Sequence, residues 1–261
     1  MSLGHPHMIP LPSHPRTAPM TVTVVGGGRL GRPLARALRA AGAVVHGPMM
    51  RGETVPSADV VLLCVTDGEI AGAADMLHGS AALIGSVSGA NPLAELDVDF
   101  GWHPLQTFVG DEGPDAFRGI GCAIAGKSVD ALAVAQQLAD LLGAHAFPVA
   151  DDQRAAYHAA ASIASNFTVT LLAAAENVAA GAGLTPAEAR ALLAPLVRRT
   201  IENWAVRGPE AALTGPVSRG DERTVTRQRD AIAGRSPEVL PLFDVLCEST
   251  RGLAKKGRAT A

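Results

Sequence analysis

The amino-acid sequence predicts an α/β fold, in which a doubly wound parallel sheet is followed by an all-α C-terminal domain. Three observations predict it. Between residues 20 and 150, apolar and β-branched runs alternate with helical patterns, which is typical of parallel strands joined by helices. A glycine-rich turn separates the first of these strands from the first helix. After Val149 only helical patterns follow.

Polar side chains come directly after several predicted strands, namely Thr66, Ser88 and His103. Because ligands of doubly wound sheets bind beyond the carboxyl ends of the strands, we expect these three residues at a common site. The predicted strands are 21–25, 43–46, 60–65, 81–86, 98–102, 120–125 and 144–149, with helices at 31–41 and 129–142.

The composition limits the kinds of partner. The 261 residues are 48% hydrophobic and carry a net charge of −3, so no broad basic surface and no nucleic-acid partner are expected. No uninterrupted apolar run reaches the roughly 20 residues of a membrane helix, so no membrane partner is expected either. The widely spaced Cys64, Cys122 and Cys247 favour a reducing cytoplasm over a disulfide framework or a zinc site.

The glycine-rich turn carries the spacing GxGxxG, at Gly26, Gly28 and Gly31. The first glycine permits the tight turn, the second lets the backbone approach a diphosphate, and the third lets the helix pack on the strand. The helix start then presents N–H groups and its dipole to the phosphates. The alternative is a tight strand–helix turn without a ligand. The predicted cofactor-binding residues are Gly26, Gly28, Arg29, Leu30, Gly31, Arg51, Val65 and Thr66.

The end of the second strand bears on the choice of dinucleotide. NAD-binding folds usually place an acid there for the ribose hydroxyls. This sequence has no acid at the immediate strand end, whereas Arg51 follows it and is suited to a 2′-phosphate. We therefore expect NADP, with NAD as the alternative. Arg51 as an ordinary exposed loop arginine is the competing interpretation.

The stretch GWHPLQTF places His103, Gln106 and Thr107 together where a strand ends. A histidine can hold or pass a proton near neutral pH, which hydride transfer to a carbonyl or imine requires. We expect His103 to be the proton donor. Gln106 and Thr107 are expected to fix either its ring or the substrate.

The segment from Asp151 to Gly181 predicts one long, buried helix with a line of polar residues. His158, Ser162 and Asn166 are spaced by four and therefore share a face. A buried polar line must be hydrogen-bonded, either within the protein or to a ligand. We predict catalytic or orienting roles for these three and substrate contact for Tyr157. Purely structural roles are the alternative.

Later helices are marked by their start signals. Thr185 to Glu188 forms a capping box with proline at the first helical position, and Pro195 is expected to kink the helix that follows to about Arg207. Asp221 is expected to cap the next helix. Arg219, in the preceding glycine-rich loop, is a candidate for binding a substrate carboxylate, against the alternative of a surface arginine.

Six strings occur in an order that resembles a known family: GGGRLGRPLARAL, VVLLCVTDGEI, SVSGA, GWHPLQTF, AAYHAAASIASNF and ALTGPVSRGD. They are similar to bacterial Rossmann-like proteins that carry a helical C-terminal domain of unknown function and are labelled NADP oxidoreductases. That family resembles a branch of the 6-phosphogluconate dehydrogenase C-terminal-like superfamily. The superfamily includes prephenate and β-hydroxyacid dehydrogenases and pyrroline-5-carboxylate reductase. The resemblance implies a homodimer formed through the helical domain.

The resemblance also assigns residues. The HPLQ string is similar to the HPM string of prephenate dehydrogenases, whose histidine hydrogen-bonds the substrate hydroxyl, and this transfers to His103 alone. Asn166 matches an asparagine of β-hydroxyacid dehydrogenases, but Ser162 stands where they have a lysine. Thr66 replaces a proline, and Gln228 replaces a histidine, of the closer family. The missing lysine and Gln228 favour the alternative of a non-catalytic dinucleotide-binding sensor. A third alternative, a purely structural dimer, requires that the nucleotide site is empty.

The sequence therefore predicts three segments: a disordered tail at 1–19, a dinucleotide-binding Rossmann domain at 20–150, and a helical substrate and dimerisation domain at 151–261. The expected function is an NADP-dependent oxidoreductase that acts on a small keto, hydroxy or imino acid. The predicted catalytic residues are His103, Ser88, His158, Ser162 and Asn166. The predicted substrate-binding residues are Gln106, Tyr157 and Arg219.

Overall fold

The computed structural model describes residues 19–77 and 81–259, and the side chains of Ala81, Ala82, Arg258 and Ala259 are not described. The predicted tail 1–19 lies outside the described residues except for Pro19. The chain divides into two compact units, Met1–Ser165 and Asn166–Ala261. The first unit holds the sheet, and the second is helical.

The predicted fold class is confirmed by a seven-stranded sheet in the order β2-β1-β3-β4-β5-β6-β7. Strands β1 to β5 are parallel. The chain leaves β1 through α1 to β2 on one side and then crosses to β3 on the other, so the order reverses at β1 and β3. Open α/β sheets bind ligands at this switch point. The strands are β1 (Thr21–Val25), β2 (Val44–Met49), β3 (Ala58–Leu63), β4 (Ala81–Ser86), β5 (Phe100–Pro104), β6 (Gly121–Gly126) and β7 (His145–Pro148).

The expectation of a wholly parallel sheet is wrong at one pair, because β6 runs antiparallel to β5. The connecting residues 105–120 contain only the 3-10 turn Pro114–Phe117, and the chain turns straight back beside β5 instead of crossing over through a helix. Strand β7 is parallel to β6 and is reached through a helix, as predicted. The sheet therefore consists of five parallel strands and an added βαβ unit, whose two strands are parallel to each other but antiparallel to the first five.

Two helices explain how the first unit encloses its core. Helix α1 (Gly31–Ala40) buries Leu34 and Leu38 completely. Helix α3 (Val129–Leu141) begins where the Ser128 hydroxyl accepts a hydrogen bond from the N–H of Ala131. The other α-helices among the described residues of this unit are α2 (Ile70–Asp75) and α4 (Arg154–Ser162).

The long helix predicted from Asp151 is not one regular α-helix. Helix α4 is followed by a π-helical segment, Ile163–Phe167, before α5 (Thr168–Ala180). The predicted burial is also wrong, since no described residue of α5 is buried. By length and composition alone, the stretch Asp151–Ala180 is long and apolar enough to cross a membrane, contrary to the expectation that no segment is. A single helix of this kind is weak evidence of a membrane span.

The second unit continues with α6 (Pro186–Ala212), α7 (Pro216–Arg219), α8 (Glu222–Arg235) and α9 (Leu240–Ala259). The predicted capping box at the start of α6 is confirmed. Asp221 caps α8 by accepting from the N–H of Thr224, also as predicted. Helix α6 runs past the predicted end at Arg207, and its non-helical residue is Gly208, directly before Pro209.

Candidate functional site

The glycine turn after β1 has the geometry that the motif predicts. Gly26 has φ +105°, and a Cβ there would lie 2.3 Å from the carbonyl oxygen of Cys64 at the end of β3. A Cβ on Gly31 would lie 1.9 Å from the carbonyl oxygen of Gly26. At Gly28, by contrast, a Cβ would meet no heavy atom of the described residues within 4 Å. The first and third glycines are therefore needed for packing, and the second leaves an open face.

The start of α1 suits an anion. Leu30 is the N-cap residue of α1. Within the described part of the chain no side chain caps the N–H groups of the first turn, and that turn contains no acidic residue. Uncapped N–H groups and the helix dipole favour negative charge at this point. The N–H of Gly26 donates to the Met49 carbonyl oxygen at 2.9 Å, so that group holds the end of β2. The open face at Gly28 and the uncapped helix start together fit a diphosphate group.

The loop that follows His103 lies beside this turn. Arg36 of α1 donates to the carbonyl oxygens of Glu112 at 2.8 Å and Gly110 at 3.0 Å. A Cβ on Gly110 would lie 3.6 Å from the Cα of Arg29. The glycine turn and the connection after β5 are therefore neighbours at the carboxyl edge of the parallel strands.

Arg51, the predicted 2′-phosphate ligand, is highly exposed and forms an ion pair with Glu69. Glu69 also accepts a hydrogen bond from the Thr66 hydroxyl at 2.7 Å. The Thr66 hydrogen bonds, and then Arg51, hold the pKa of Glu69 below its ordinary value. Arg51 therefore already has a carboxylate partner that would compete with a phosphate.

His103 forms the centre of a polar cluster on β5 and α4. Its Nδ1 lies 2.7 Å from the Tyr157 hydroxyl, and the two rings meet edge to face with centroids 5.6 Å apart. The His158 ring is 6.1 Å away between centroids. The imidazole also packs against Gly89, where a Cβ would lie 2.8 Å from Nε2. The sequence predicted each of His103, Tyr157 and His158, and the structure brings the three together.

The environment keeps His103 and Tyr157 uncharged at neutral pH. Burial, then His158 and Arg154, lower the pKa of His103 to about 4, against a smaller opposing effect of Asp67. Burial, more than any nearby charge, raises the pKa of Tyr157 to about 12. One hydrogen is therefore shared between two neutral groups. Either the phenol donates to Nδ1 or the imidazole donates to the phenol oxygen.

Other predicted residues have local partners. The Ser88 hydroxyl accepts hydrogen bonds from the N–H groups of Ala90 and Asn91 at 3.4 Å and from the Asn91 side chain at 3.1 Å, so it organises its own loop. Gln106 accepts from the N–H of Thr107 at 3.0 Å and is exposed. Tyr157 and Gly89 contact the imidazole ring, and the roles of Gln106 and Thr107 stay predictions.

The predicted polar line is interrupted. Ser162 ends α4, and Asn166 lies in the π segment, whose wider turns change the angle between successive side chains. His158, Ser162 and Asn166 therefore do not follow one α-helical face. Asn166 and Arg219 both belong to the second unit, and both are exposed. Arg219 lies at the end of α7. Their roles stay predictions.

Sequence reasoning missed Arg154. This residue opens α4 and is 2% exposed, and its guanidinium reaches Asp151 and the Ser88 carbonyl. An arginine at a helix start is usually solvated, so no sequence signal marked it. Gly89 was also missed as a contact of His103, although the SVSGA string contains it.

Comparisons with known proteins agree with this architecture. A model of the family described as "Domain of unknown function (DUF2520)" matches residues 120–250. No curated protein matches the chain.

Solved structures match along nearly the whole chain. BF3122 from Bacteroides fragilis, described as a "putative NADP oxidoreductase", is 23% identical, covers 90% of this chain and 98% of its own, and has a TM-score of 0.76. TM1727 from Thermotoga maritima is 24% identical over 91% and 99%, with a TM-score of 0.72. A reductive aminase from Aspergillus terreus in complex with NADPH is 14% identical over 91% and 98%, with a TM-score of 0.62. At these identities the likeness shows the fold.

Proposed function

We propose that this chain, which belongs to the family described as Domain of unknown function (DUF2520), is an NADP-dependent oxidoreductase. The proposed reaction transfers hydride between the nicotinamide and a small keto, hydroxy or imino acid. One observation carries the proposal: the glycine turn and the loop after His103 meet at the carboxyl edge of one parallel sheet. Two of the similar solved structures are named for NADP or contain NADPH, which supports the cofactor.

The cofactor would be held mainly by backbone. Its diphosphate would face Gly28 and the uncapped start of α1, where no side chain stands in the way. Arg51 would turn from Glu69 to a 2′-phosphate, which favours NADP over NAD. When bound, the nicotinamide would supply or accept the hydride. We call this proposed cofactor site, around Gly28 and the start of α1, the cradle. It would also be lined by Arg29, Leu30, Val65 and Thr66.

The lowered pKa of His103 changes its expected role. At neutral pH the imidazole is neutral, so it is better suited to accept a proton from a hydroxyl that is being oxidised than to donate one as imidazolium. Tyr157 would fix the ring through Nδ1 and leave Nε2 for the substrate. In the reductive direction an imine can arrive already protonated and would require no donor. Ser88, Gln106, His158, Ser162, Asn166 and Arg219 are proposed to orient the substrate.

A homodimer through the helical unit is part of the proposal. Large apolar residues of that unit are exposed, and a mostly apolar groove of about 830 Å³ lies among its helices. Exposed apolar surface of this extent marks an interaction site. The three free cysteines fit a reducing cytoplasm. The exposed residues include Leu171, Leu192, Leu196, Ile201, Trp204, Val206, Val245 and Leu246.

The cradle is tested by adding a carboxylate to it. Gly28→Asp places a negative charge where the diphosphate would lie, without any clash in the described residues. We expect NADPH affinity, measured by calorimetry, to fall about 100-fold, because the change replaces an attraction by a repulsion. The matched control is Gly72→Asp, at an exposed helical glycine where a Cβ would likewise meet no heavy atom of the described residues within 4 Å. Equal affinity in the two variants would refute the cradle.

Catalysis is tested separately from binding. The protein is incubated with NADPH and a panel of keto and imino acids, and with NADP and hydroxy acids, while absorbance is followed. We expect turnover with at least one class. For keto or hydroxy acids, whose reaction needs a proton to be given or accepted, we expect a large loss of turnover in His103→Gln. Tight NADPH binding without turnover across the panel would instead favour the dinucleotide-binding sensor.

A further inference from the structure

Arg154 is one of the largest fully buried side chains of the protein. Its Nε donates to Asp151 Oδ1 at 3.1 Å, and its Nη1 donates to the Ser88 carbonyl oxygen at 3.4 Å. Its Nη2 is buried and has no hydrogen-bond partner among the described residues. That nitrogen lies 2.4 Å from where a Cβ of Gly101 would stand. Burial of a cation with one donor unpaired is unfavourable, so its retention calls for a reason.

The position of the guanidinium follows from two periodicities. Gly101 and His103 lie two residues apart on β5, so they face the same side of the sheet. Arg154 and Tyr157 lie three apart on α4, so they share one side of the helix. Tyr157 contacts His103, and Arg154 lies over Gly101. Helix α4 thus places the Arg154 guanidinium and the Tyr157 phenol next to each other along β5, the strand that carries His103.

The same guanidinium holds the loop that packs against the imidazole. The Ser88 carbonyl that it contacts directly precedes Gly89, against which the His103 ring packs. Asp151, its ion-pair partner, accepts from the N–H groups of Leu93 and Ala94, both at 3.0 Å, in the same connection between β4 and β5. The pair therefore fastens this connection at two points.

We propose that Arg154 is a positioning residue for His103, which clamps the Ser88-Gly89 segment onto the imidazole and places a buried positive charge beside it. The clamp and the charge are properties of the folded protein. The benefit to catalysis rests on the proposed function, in which a neutral imidazole accepts a proton.

The charge acts on the protonation of His103. A second positive charge in the same buried region is unfavourable. Burial, then His158 and then Arg154 lower the pKa of His103. The groups that face the imidazole are Tyr157 and His158 from α4, Arg154 at its start, and Asp67 after β3. Of these, only Asp67 favours the charged form. Arg154 is the fixed cation of the set, because guanidinium does not lose its proton.

The test is an NMR titration of the imidazole in the full-length protein without cofactor or substrate. The His103 resonance is assigned by its loss in His103→Gln. We expect a wild-type midpoint well below pH 6 and an upward shift of about one pH unit in Arg154→Met, which removes the charge but keeps most of the volume. Arg154→Lys keeps the charge, so its midpoint is expected to stay near wild type. The control is Arg118→Met, at an exposed arginine of the same unit.

The pair of Arg154 variants separates charge from packing. A purely structural arginine would raise the midpoint in both variants alike, and that result would overturn the proposal, as would an unchanged midpoint in Arg154→Met. If Arg154→Met does not fold, Asp151→Asn gives the decision, because an uncompensated Arg154 should lower the midpoint further. An unchanged or raised midpoint there would also overturn it. Since the titration needs neither cofactor nor turnover, its outcome is independent of the proposed reaction.

Discussion

In the first unit, apolar side chains such as Leu34 and Val61 are completely enclosed by the same chain, whereas in the second unit Trp204 and Val206 are 57% and 84% exposed. The polar cluster around His103 is likewise built within the first unit, from β5, α4 and the connection after β4. Among the described residues of the second unit, the buried ones are Ala189, Val225, Ile232, Ser236 and Cys247.

The difference indicates that the first unit buries its apolar side chains within one chain, whereas the second unit leaves many of them exposed. A sheet covered by helices can enclose its core within one chain. Among the described residues of the second unit, many large apolar side chains are exposed, and a groove lies between α5, α6, α8 and α9. We therefore expect the first unit to keep its site geometry as a monomer and the second to need a second copy.

A charged residue on the exposed apolar surface of the second unit should have the largest effect on association. Leu196 of α6 lines the groove and is 63% exposed, so Leu196→Asp should leave the isolated chain folded. In a dimer it would bury an unpaired carboxylate, and we expect the dimer dissociation constant to rise about 1,000-fold. Sedimentation velocity over a range of protein concentrations measures this change.

Val129→Asp is the matched control, because Val129 is 72% exposed but belongs to α3 of the first unit. Its association behaviour should equal that of the wild type. If both variants associate alike, the open helical faces do not mediate the dimer, and the contrast between the units would lose its explanation.

The same contrast explains what the sequence could predict. The glycine turn is a local pattern of strand, turn and helix, and its three glycines have the predicted geometry. The direction of β6 was missed, because periodicity identifies a strand but not its orientation. The predicted burial of α5 was wrong, because an apolar composition is typical of a core helix but does not say whether the fold covers it, and no described residue of α5 is buried.

The site was predicted as a set of residue types but not as a set of contacts. His103 and Tyr157 are 54 positions apart, and only the packing of α4 beside β5 joins them. Arg154 is ordinary in sequence, and its burial is a tertiary fact. The π segment was missed because Ile163–Phe167 is compatible with a regular helix by composition. Local signals therefore identified candidates, and long-range packing decided their partners.

A second prediction uses the half-buried His103 of the first unit. His103 has its pKa lowered from an ordinary 6.5 to about 4, so between these values the unfolded chain binds a proton that the folded chain does not. Its contribution to stability is complete above pH 6.5 and is lost as the pH falls to 4. The loss is on the order of 3 kcal/mol by linkage.

Urea unfolding of Trp204→Phe protein measures this effect, since fluorescence then comes from Trp102 in the core of the first unit. His103→Gln in the same background does not titrate at this position. We expect its free energy of unfolding to fall less steeply between pH 6.5 and 4 than that of the parent. Parallel curves for the two proteins would show that the imidazole is not held neutral by the fold.

The smallest expected effect concerns the outer edge of the first unit, where contacts are exposed rather than enclosed. Glu69 pairs with Arg51 and would compete with a 2′-phosphate for it. Glu69→Gln removes the competing charge, and because exposed ion pairs are weak we expect NADPH affinity to rise only about threefold. NADH, which lacks the 2′-phosphate, should bind unchanged, and calorimetry with both dinucleotides measures the difference. Equal gains for NADPH and NADH would mean that Arg51 and Glu69 do not discriminate between them, because a charge effect specific to the 2′-phosphate cannot act on NADH.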